Sequence, residues 1–461
     1  MRTNMGHKFA NHLIKLLSSY GDDSQEHARV VKAAATALGR LVKADTGMSA
    51  DMIEDAIANA LDWARAVRTS AGREGTERHF AAVFVLHQLA IDSPTHFYVH
   101  VGGFFDVMWS VLCHPNQEIR EKASETLKAC LEMAAQRKVE QCQDWYRSVY
   151  TKALDLLEAP QHAEGVHGAL LAIEQLVRVP HARDEFVSKH LEELVNGRRN
   201  RGTGGVFSVK LHKDRSVRQQ FLRLLPALHA SPRLEEVTQF DGTVRYLIEL
   251  LRKGEERAAA FRALGEIART RDEVVRHVGQ IFVFVKESLP ADTRRSKQQV
   301  CVEEALECVR MFTQAYGTHA ELAEQIRELL PCVFEAGLSL PLADMLAAIM
   351  SSMANLPEIC REVQERLLDS ISKVLTGQDI HTALDSQRLS ATVLHIERDA
   401  APSAQLPALD TQGDDNRRHL AFNLLSSFDF GELLCAPCHL LNVPIASSYR
   451  GSVLQPRSHS V

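Results

Sequence analysis

Residues 114–131 read HPNQEIREKASETLKACL, and this stretch contains the pattern that decides the fold. Pro115 ends the preceding helix, because proline lacks an N–H and clashes with the turn before it. Asn116 is placed to cap the next helix by accepting its unpaired N–H groups. On that helix Leu127 and Cys130 lie three positions apart, so their side chains share one face. The stretch predicts a turn followed by a helix with one buried face.

The same apolar pair recurs along the chain at nearly constant spacing. Each occurrence has two apolar residues separated by two others, within an Ala-rich helical pattern: Leu38–Leu41, Leu86–Leu89, Leu127–Cys130, Ile173–Leu176, Leu225–Leu228, Leu264–Ile267, Val309–Phe312 and Leu346–Ile349. The steps between them, roughly 37 to 52 residues, scatter around the period of about 40–47 residues that is typical of HEAT and armadillo repeats.

A first helix precedes the helix that carries each pair. FANHLIKLL at 9–17 comes before the turn at 21–23, and the apolar segment 96–112 comes before the turn at 114–116. Each helix pair has two apolar faces and cannot bury both alone, so neighbouring pairs must stack. The sequence predicts an all-α, HEAT/armadillo-type α-solenoid of about eight helix pairs. Such a fold offers an extended binding surface rather than a deep catalytic pocket.

HEAT repeats often open the second helix with an Asp-x-x-Val-Arg pattern. Residues 214–218, DRSVR, match it fully, and residues 116–120, NQEIR, match it closely. The pattern predicts a helix cap together with an arginine that can bond an acidic side chain of a neighbouring repeat.

Composition excludes several classes of protein. Of 461 residues 45% are hydrophobic and 24% charged, which is ordinary for a folded protein, and the mild net charge of −6 implies no strong attraction to nucleic acid or anionic membrane. Apolar runs such as 281–285 are too short for a membrane span of about 20 residues, and residues 1–17 show no signal-peptide core. The nine cysteines are predicted to be reduced, mostly buried thiols: Cys113, Cys130, Cys142, Cys301, Cys308, Cys332, Cys360, Cys435 and Cys438.

Nine segments of the chain carry a resemblance to one known family: FANHLIKLL (9–17), ALGRLV (37–42), ALDW (60–63), RHFAAVFVLHQLAIDSP (78–94), QEIREKASETLKACL (117–131), DWYR (144–147), VHGALLAIEQLVRV (166–179), RAAAFRALG (257–265) and LLSSFDF (424–430). These segments resemble the N-terminal HEAT region of the target-of-rapamycin (TOR) protein kinases. They occur in the family's order from about residue 7 to 376, and once more at 424–430.

The resemblance implies a function in protein binding. TOR proteins are very large Ser/Thr protein kinases whose HEAT arrays hold regulatory subunits. The expected role is therefore a scaffold in nutrient and growth signalling that binds TOR-complex regulatory subunits or other TOR chain segments. It would lie in the cytoplasm, or in the nucleus or on endomembranes as part of a TOR complex. Two alternatives stay open, namely another HEAT scaffold (a nuclear transport receptor or phosphatase scaffold) and an active kinase.

The chain departs from the family in ways that set the expected domains. Nothing in it resembles the FAT, rapamycin-binding or kinase segments, so we expect a fragment, a truncated gene model or a short isoform without enzyme activity. The solenoid is predicted over 1–376, with a short inter-repeat loop near 196–216. A linker with a partial helix is predicted over 377–432, and a disordered aberrant tail over 433–461. Because the chain starts at an internal-type repeat, we expect self-association through Phe9, Leu13, Leu16 and Leu17.

Two motifs imitate catalytic or cofactor chemistry. Asp429-Phe430-Gly431 spells the metal-binding tripeptide of kinases, with His395, Arg398 and Asp399 upstream. A kinase also needs a strand lysine and an Asn shortly after the catalytic Asp, and neither is present. Residues 435–439, CAPCH, match the haem-attachment pattern and could also contribute to a zinc site, but no export signal accompanies them.

Three further groups have a functional and a structural interpretation. His96 and His100 share a helix face but lack a third metal ligand, which favours solvated or capping histidines. Arg198, Arg199 and Arg201 could contact RNA or form a nuclear address, yet no aromatic residues interleave them, which favours a solvated loop. Trp63, Trp109 and Trp145 favour core packing over a ligand cage. We therefore predict no catalytic residue, no metal, no cofactor and no nucleic-acid partner.

Overall fold

The computed structural model describes residues 3–18, 24–44, 49–65, 73–137, 142–158, 162–198, 204–230, 240–289, 301–335, 337–376, 411–428 and 430. The regular elements in this part of the chain are all helices, and no strand occurs among them. None of the described helices is long and apolar enough to cross a membrane. The predicted fold class, an all-α solenoid of HEAT-type helix pairs, is confirmed.

The first of two compact units comprises residues 1–285 and 296–315. Helix α15 extends three residues beyond these limits and α16 one residue. The helices of this unit are α1 (Thr3–Ser18), α2 (Ser24–Lys43), α3 (Ala50–Arg65), α4 (Arg73–Asp92), α5 (Pro94–Phe97), α6 (Val101–Leu112), α7 (Gln117–Arg137), α8 (Cys142–Glu158), α9 (Ala163–Arg178), α10 (Pro180–Glu185), α11 (Leu191–Asn196), α12 (Arg215–His229), α13 (Phe240–Leu251), α14 (Arg257–Ala268), α15 (Val278–Ser288) and α16 (Val302–Tyr316).

Two layers of helices form this unit. The second helices of successive pairs, α2, α4, α7, α9, α12 and α14, contact one another in that order. The first helices α1, α3, α6, α8 and α13 each pack on the second helix of their own pair. Six of the eight predicted apolar pairs lie on these second helices, whereas Val309–Phe312 lies on α16 and Leu346–Ile349 lies on the helix Leu340–Ser352 of the second unit. Every one of their side chains is buried except that of Leu41, which is half-buried. The core therefore lies between the two layers.

The predicted helix caps form where the Asp-x-x-Val-Arg pattern places them. The Asp214 carboxylate accepts hydrogen bonds from the backbone N–H groups of Ser216 at 2.8 Å and Val217 at 3.3 Å. The Asn116 side chain accepts one from the Glu118 N–H at 2.9 Å. These bonds satisfy N–H groups that have no partner within the helix, so α7 and α12 each start at a defined residue.

The region before α12 is built from short elements. The predicted loop near 196–216 contains a 3-10 helix, Val206–Leu211, which contacts α12. Gly197 and Gly204 adopt φ angles of 80° and 98°, in the region that favours glycine. A Cβ at Gly205 would lie 2.2 Å from the Val195 carbonyl oxygen, so the two backbones meet there directly.

The second unit comprises residues 286–295 and 316–461. Its helices are α17 (Ala320–Glu335), α18 (Leu340–Ser352), α19 (Pro357–Thr376) and α20 (Thr411–Ser427). Helix α19 packs against the other three. Helix α20 lies within the stretch predicted as a linker with a partial helix. Residues 377–410 and the predicted tail 433–461 lie outside the described residues, and the domain boundaries stay a prediction.

Candidate protein-binding surface

Buried polar bonds join three neighbouring second helices of the first unit. The Gln175 amide of α9 donates to the Ser124 hydroxyl of α7 at 2.9 Å. The Gln220 amide of α12 donates to Glu174 Oε2 at 2.5 Å, and Arg178 Nε donates to Glu174 Oε1 at 2.8 Å. Glu174 is only 3% exposed. Because buried polar groups lose free energy without partners, these bonds fix the register of α7, α9 and α12.

Two arginines hold the turns that precede second helices. Arg120 is buried and donates through Nη1 to the carbonyls of His114 at 2.7 Å and Pro115 at 2.8 Å. Its Nε donates to His167 Nδ1 on α9 at 3.2 Å. Burial, and secondarily the nearby Arg120, lower the pKa of His167 to about 4, so the ring stays neutral and can accept this bond.

Arg218 on α12 repeats this arrangement at the turn that precedes α12. Its Nη1 donates to the carbonyls of His212 at 2.8 Å and Lys213 at 2.9 Å, and its Nε pairs with Glu256. The predicted bond to an acidic side chain of a neighbouring repeat is therefore confirmed for Arg218. It is wrong for Arg120, because the position across from that arginine holds His167 instead of a carboxylate.

An open groove lies along α1 and α2 and is the best candidate for binding another protein. Its volume is about 600 Å³, and it is lined by Phe9, Lys32, Ala33, Thr36, Ala37, Arg40, Leu41 and Ala44. The alanines leave room along α2, and Phe9 stands at the edge with 51% of its surface exposed. We call this surface the α1–α2 groove.

The expected apolar face of α1 is only partly present. Leu13 and Leu17 are 4% exposed each and Leu16 is half-buried. The expectation that Leu13 and Leu17 offer free apolar surface is wrong, because α1 turns them into the core against α2. Phe9 is the residue of that set that remains accessible.

The charges around the groove are positive. Lys32 pairs with Glu118, and its Nζ lies 5.7 and 5.6 Å from the ring centroids of Phe80 and Phe84, which hold it in place. Arg40 is exposed, and its guanidinium has no carboxylate partner in the part of the chain that the structure describes. An apolar floor beside an unpaired cation suits an amphipathic helix with acidic residues along one side.

The structure does not gather the sequence-predicted metal candidates into a site. His96 Nδ1 lies 4.0 Å from Glu54 Oε1, and no cluster of three or more possible metal ligands occurs among the described residues. The three tryptophans are half-buried on α3, α6 and α8, and Trp145 stacks on Phe105 with ring centroids 5.1 Å apart. They pack at the edge of the core instead of inside it.

Arg198 lies at an exposed position, as expected for a loop, and its guanidinium is also tied to neighbouring helices. Its Nη1 donates to Asp155 at 2.6 Å, its Nε to Glu193 at 3.0 Å and its Nη2 to the Thr151 carbonyl at 3.2 Å. These bonds anchor the chain to α8. Residues 199–201 lie outside the described residues.

Of the kinase-like tripeptide the structure describes Phe430, which is 1% exposed and lies 5.5 Å from the Phe428 ring. Asp429, Gly431, His395, Arg398 and Asp399, and the haem-like Cys435, Cys438 and His439, lie outside the described residues. The seven described cysteines form no disulfide with one another; Cys130, Cys142, Cys301 and Cys308 are buried, and Cys113, Cys332 and Cys360 are half-buried.

Sequence comparison connects the chain to large kinases. It is 32% identical to the serine/threonine-protein kinase TOR of Arabidopsis thaliana over 74% of this chain and 13% of that protein. It is 32% identical to TOR of Oryza sativa subsp. japonica over 81% of this chain and 14% of that protein, and 27% identical to tor1 of Schizosaccharomyces pombe over 90% and 17%. The chain thus spans about a seventh of the length of these relatives. No protein-family model matches it.

Structural comparison supports the fold. Crystal structures of two Kap121p mutants superpose on 82% of this chain with TM-scores of 0.52 and 0.50, at 12% and 13% sequence identity. Each match covers 36% of the Kap121p chain. At such low identity the likeness concerns the fold alone.

Proposed function

Because this chain is homologous to a segment of the TOR serine/threonine protein kinases, we propose that it is a helical-repeat scaffold that binds TOR-complex regulatory subunits or other segments of a TOR chain. Its role would lie in nutrient and growth signalling, in the cytoplasm or wherever a TOR complex assembles. The observation that carries the proposal is the α1–α2 groove, an open apolar surface with an unpaired cation beside it.

The groove has the chemistry of a helix-binding surface. Alanines at positions 33, 37 and 44 let another backbone approach α2 closely, and Phe9 supplies an aromatic side chain of the kind that anchors protein interfaces. Arg40 then favours a partner helix that carries acidic residues beside its apolar face. The same surface can receive a second copy of the chain, and we include weak self-association in the proposal.

The proposal assigns no catalysis to this chain. Kinases hold ATP with a lysine on a β-strand and a glycine-rich strand pair. The described residues form helices without a strand, and the kinase-like tripeptide contributes a buried Phe430 to helical packing. The likeness to Kap121p does not favour a nuclear transport receptor, because 12% identity supports the fold alone.

Binding to purified TOR-complex subunits of the same organism tests the proposal. We expect at least one subunit, or a separate TOR segment, to bind the immobilised chain saturably, and Phe9→Glu to weaken binding about tenfold or more, which is about 1.4 kcal/mol. The matched control is Ile91→Glu, since Ile91 is similarly exposed at 54% and does not line the groove. Equal loss in both variants, or no binding by any subunit, would refute the proposal.

A further inference from the structure

A second pocket lies between the turn that precedes α12 and the turn that joins α13 to α14. Its volume is about 480 Å³, and it is lined by Lys210, Leu211, His212, Lys213, Arg218, Tyr246, Leu250, Lys253, Gly254, Glu255 and Glu256. The 3-10 helix before α12 forms one wall, and the turn between α13 and α14 forms the other. Tyr246, Leu250 and the 84% exposed Leu211 make part of it apolar. We call this surface the lysine pocket.

Positive charge dominates the lysine pocket although the whole chain carries a net charge of −6. Four cations and two carboxylates line it. Arg218 engages both carboxylates, because its Nε pairs with Glu256 and its Nη2 lies 3.7 Å from Glu255 Oε2. The Lys213 and Lys253 side chains are exposed, and neither ammonium group has a carboxylate partner within the described ranges.

The walls of the pocket are held in place before any ligand arrives. The Tyr246 hydroxyl donates to the Lys210 carbonyl at 3.2 Å, and Lys210 Nζ lies 4.0 Å from the centroid of the Tyr246 ring. Burial and the nearby Glu256 raise the pKa of Tyr246 to about 12, so the phenol keeps its donor proton. Arg218 fixes the carbonyls of His212 and Lys213 from the other side. A preorganised site loses less conformational entropy on binding.

We propose that the lysine pocket binds an acidic segment of a partner protein, with carboxylates directed to Lys213 and Lys253 and an apolar side chain placed between Leu211 and Tyr246. The exposed Glu255 disfavours a nucleic-acid backbone, which would bring phosphates along the whole rim, whereas a peptide can place its carboxylates at the two unpaired lysines alone. The inference rests on the proposed scaffold function only in requiring a protein partner, since it uses a surface separate from the α1–α2 groove.

At two glycines a charged side chain can be introduced without a clash between its Cβ and neighbouring atoms. A Cβ at Gly254, on the pocket rim, meets no atom within 4 Å, and neither does one at Gly279 on α15, which does not line the pocket. Gly254→Glu therefore places a carboxylate at the pocket, and Gly279→Glu adds the same charge elsewhere. Both variants should keep the helix content of the wild type, which circular dichroism measures.

The full chain is used to select binders from a displayed library of random dodecapeptides. We expect the peptides enriched on the wild type, relative to Gly254→Glu, to combine Asp or Glu with a large apolar residue. A labelled synthetic copy of the most enriched peptide should bind the wild type in fluorescence anisotropy. Gly254→Glu and Lys253→Glu should each weaken that binding by about tenfold or more, the effect of roughly one lost charge pair, while Gly279→Glu should change it by less than about twofold.

Three outcomes overturn the inference. These are enrichment without acidic residues, equal weakening by Gly254→Glu and Gly279→Glu, and competition by inorganic phosphate as effective as by the unlabelled peptide. Phe9→Glu should leave peptide binding unchanged. Peptide binding that fails while subunit binding to the α1–α2 groove persists would refute this inference alone, so the two proposals fail separately.

Discussion

A single hydrogen atom in place of a side chain decides how closely α6 and α9 approach. A Cβ at Gly168 would lie 2.1 Å from the carbonyl oxygen of Leu112, whereas a Cβ at Gly165 in the same helix meets only Leu156 Cδ2 at 3.5 Å. We predict that Gly168→Ala lowers the free energy of unfolding by about 1–3 kcal/mol through overpacking. Gly165→Ala should raise it by up to about 1 kcal/mol through helix propensity. Urea midpoints of the two variants measure the difference, and equal midpoints would contradict it.

Buried histidines make stability depend on pH. His167 and His229 are 2% and 1% exposed, and burial, followed by the neighbouring Arg120 and Arg271 respectively, lowers the pKa of each ring to about 4. In the unfolded chain the value is about 6.5, so the unfolded state takes up protons first as the pH falls. Their contribution is complete above about pH 6.5 and is lost as the pH falls through that value toward 4.

The test is a variant that cannot titrate. The free energy of unfolding should fall between pH 7 and pH 5. His229→Leu should reduce that fall by about 1–2 kcal/mol, because leucine does not titrate and the contribution of the His229 ring is removed. The control is His12→Leu on α1, where the ring is exposed. If both variants keep the full wild-type slope, His229 does not contribute to it.

At the scale of elements, the turn before α7 depends on the fork shape of one guanidinium. Arg120 bonds two carbonyls and His167 at once, and a lysine ammonium cannot reach the same three acceptors with that geometry. We predict that Arg120→Lys lowers the free energy of unfolding by about 1.5–3 kcal/mol and speeds hydrogen exchange in the first turn of α7. Arg147→Lys, at an exposed position on α8, serves as the control. Unchanged exchange in α7 would refute the prediction.

Local sequence predicted the elements better than their contacts. The apolar pairs and the caps at Asn116 and Asp214 follow from patterns within a few residues, and the structure has them where the patterns place them. The burial of Glu174 does not follow in this way, because its partner Gln220 lies on another helix 46 positions along the chain. From the sequence alone, a charged residue in a helix is predicted to be exposed, and only the position of the neighbouring helix shows that it is buried.

The candidate surfaces were the least predictable part. In the sequence, the alanines spaced along α2 indicate the α1–α2 groove, but the same spacing is also typical of a helix face that packs in the core. The burial of Leu13 and Leu17 depends on how α1 rotates on α2, which the apolar period of α1 alone does not fix. The lysine pocket joins residues from two separate turns, so no single stretch of sequence contains it.

At the scale of the whole molecule, the chain matches only about a seventh of the length of the TOR kinases, and this match does not by itself imply kinase activity. We predict that the purified chain transfers no phosphate from Mg-ATP to itself or to a generic substrate above background. Asp429→Ala should change nothing, since a single metal ligand cannot act without a phosphate-binding lysine. Radiolabelled ATP turnover provides the measurement. Robust transfer that disappears in Asp429→Ala would overturn the scaffold interpretation.

The structure changes which residues we expect to mediate weak self-association. The exposed Phe9 and the alanines of the α1–α2 groove allow a two-fold contact in which Phe9 of each copy packs over the groove of the other. Burying a few hundred Å² gains a free energy that the entropy lost on association largely offsets. We therefore expect a dissociation constant of about 10–100 μM.

Sedimentation over a concentration series across that range tests this contact. The wild type should shift from monomer toward dimer, Phe9→Glu should stay monomeric, and Ile91→Glu should behave as the wild type because Ile91 does not line the groove. The double variant Leu13→Glu/Leu17→Glu should instead lose helix content, since both side chains are buried and a carboxylate there would lack a partner. If the wild type stays monomeric throughout, the groove does not mediate self-association and would bind other proteins only. If the double variant is folded and monomeric, α1 presents Leu13 and Leu17 to solvent after all.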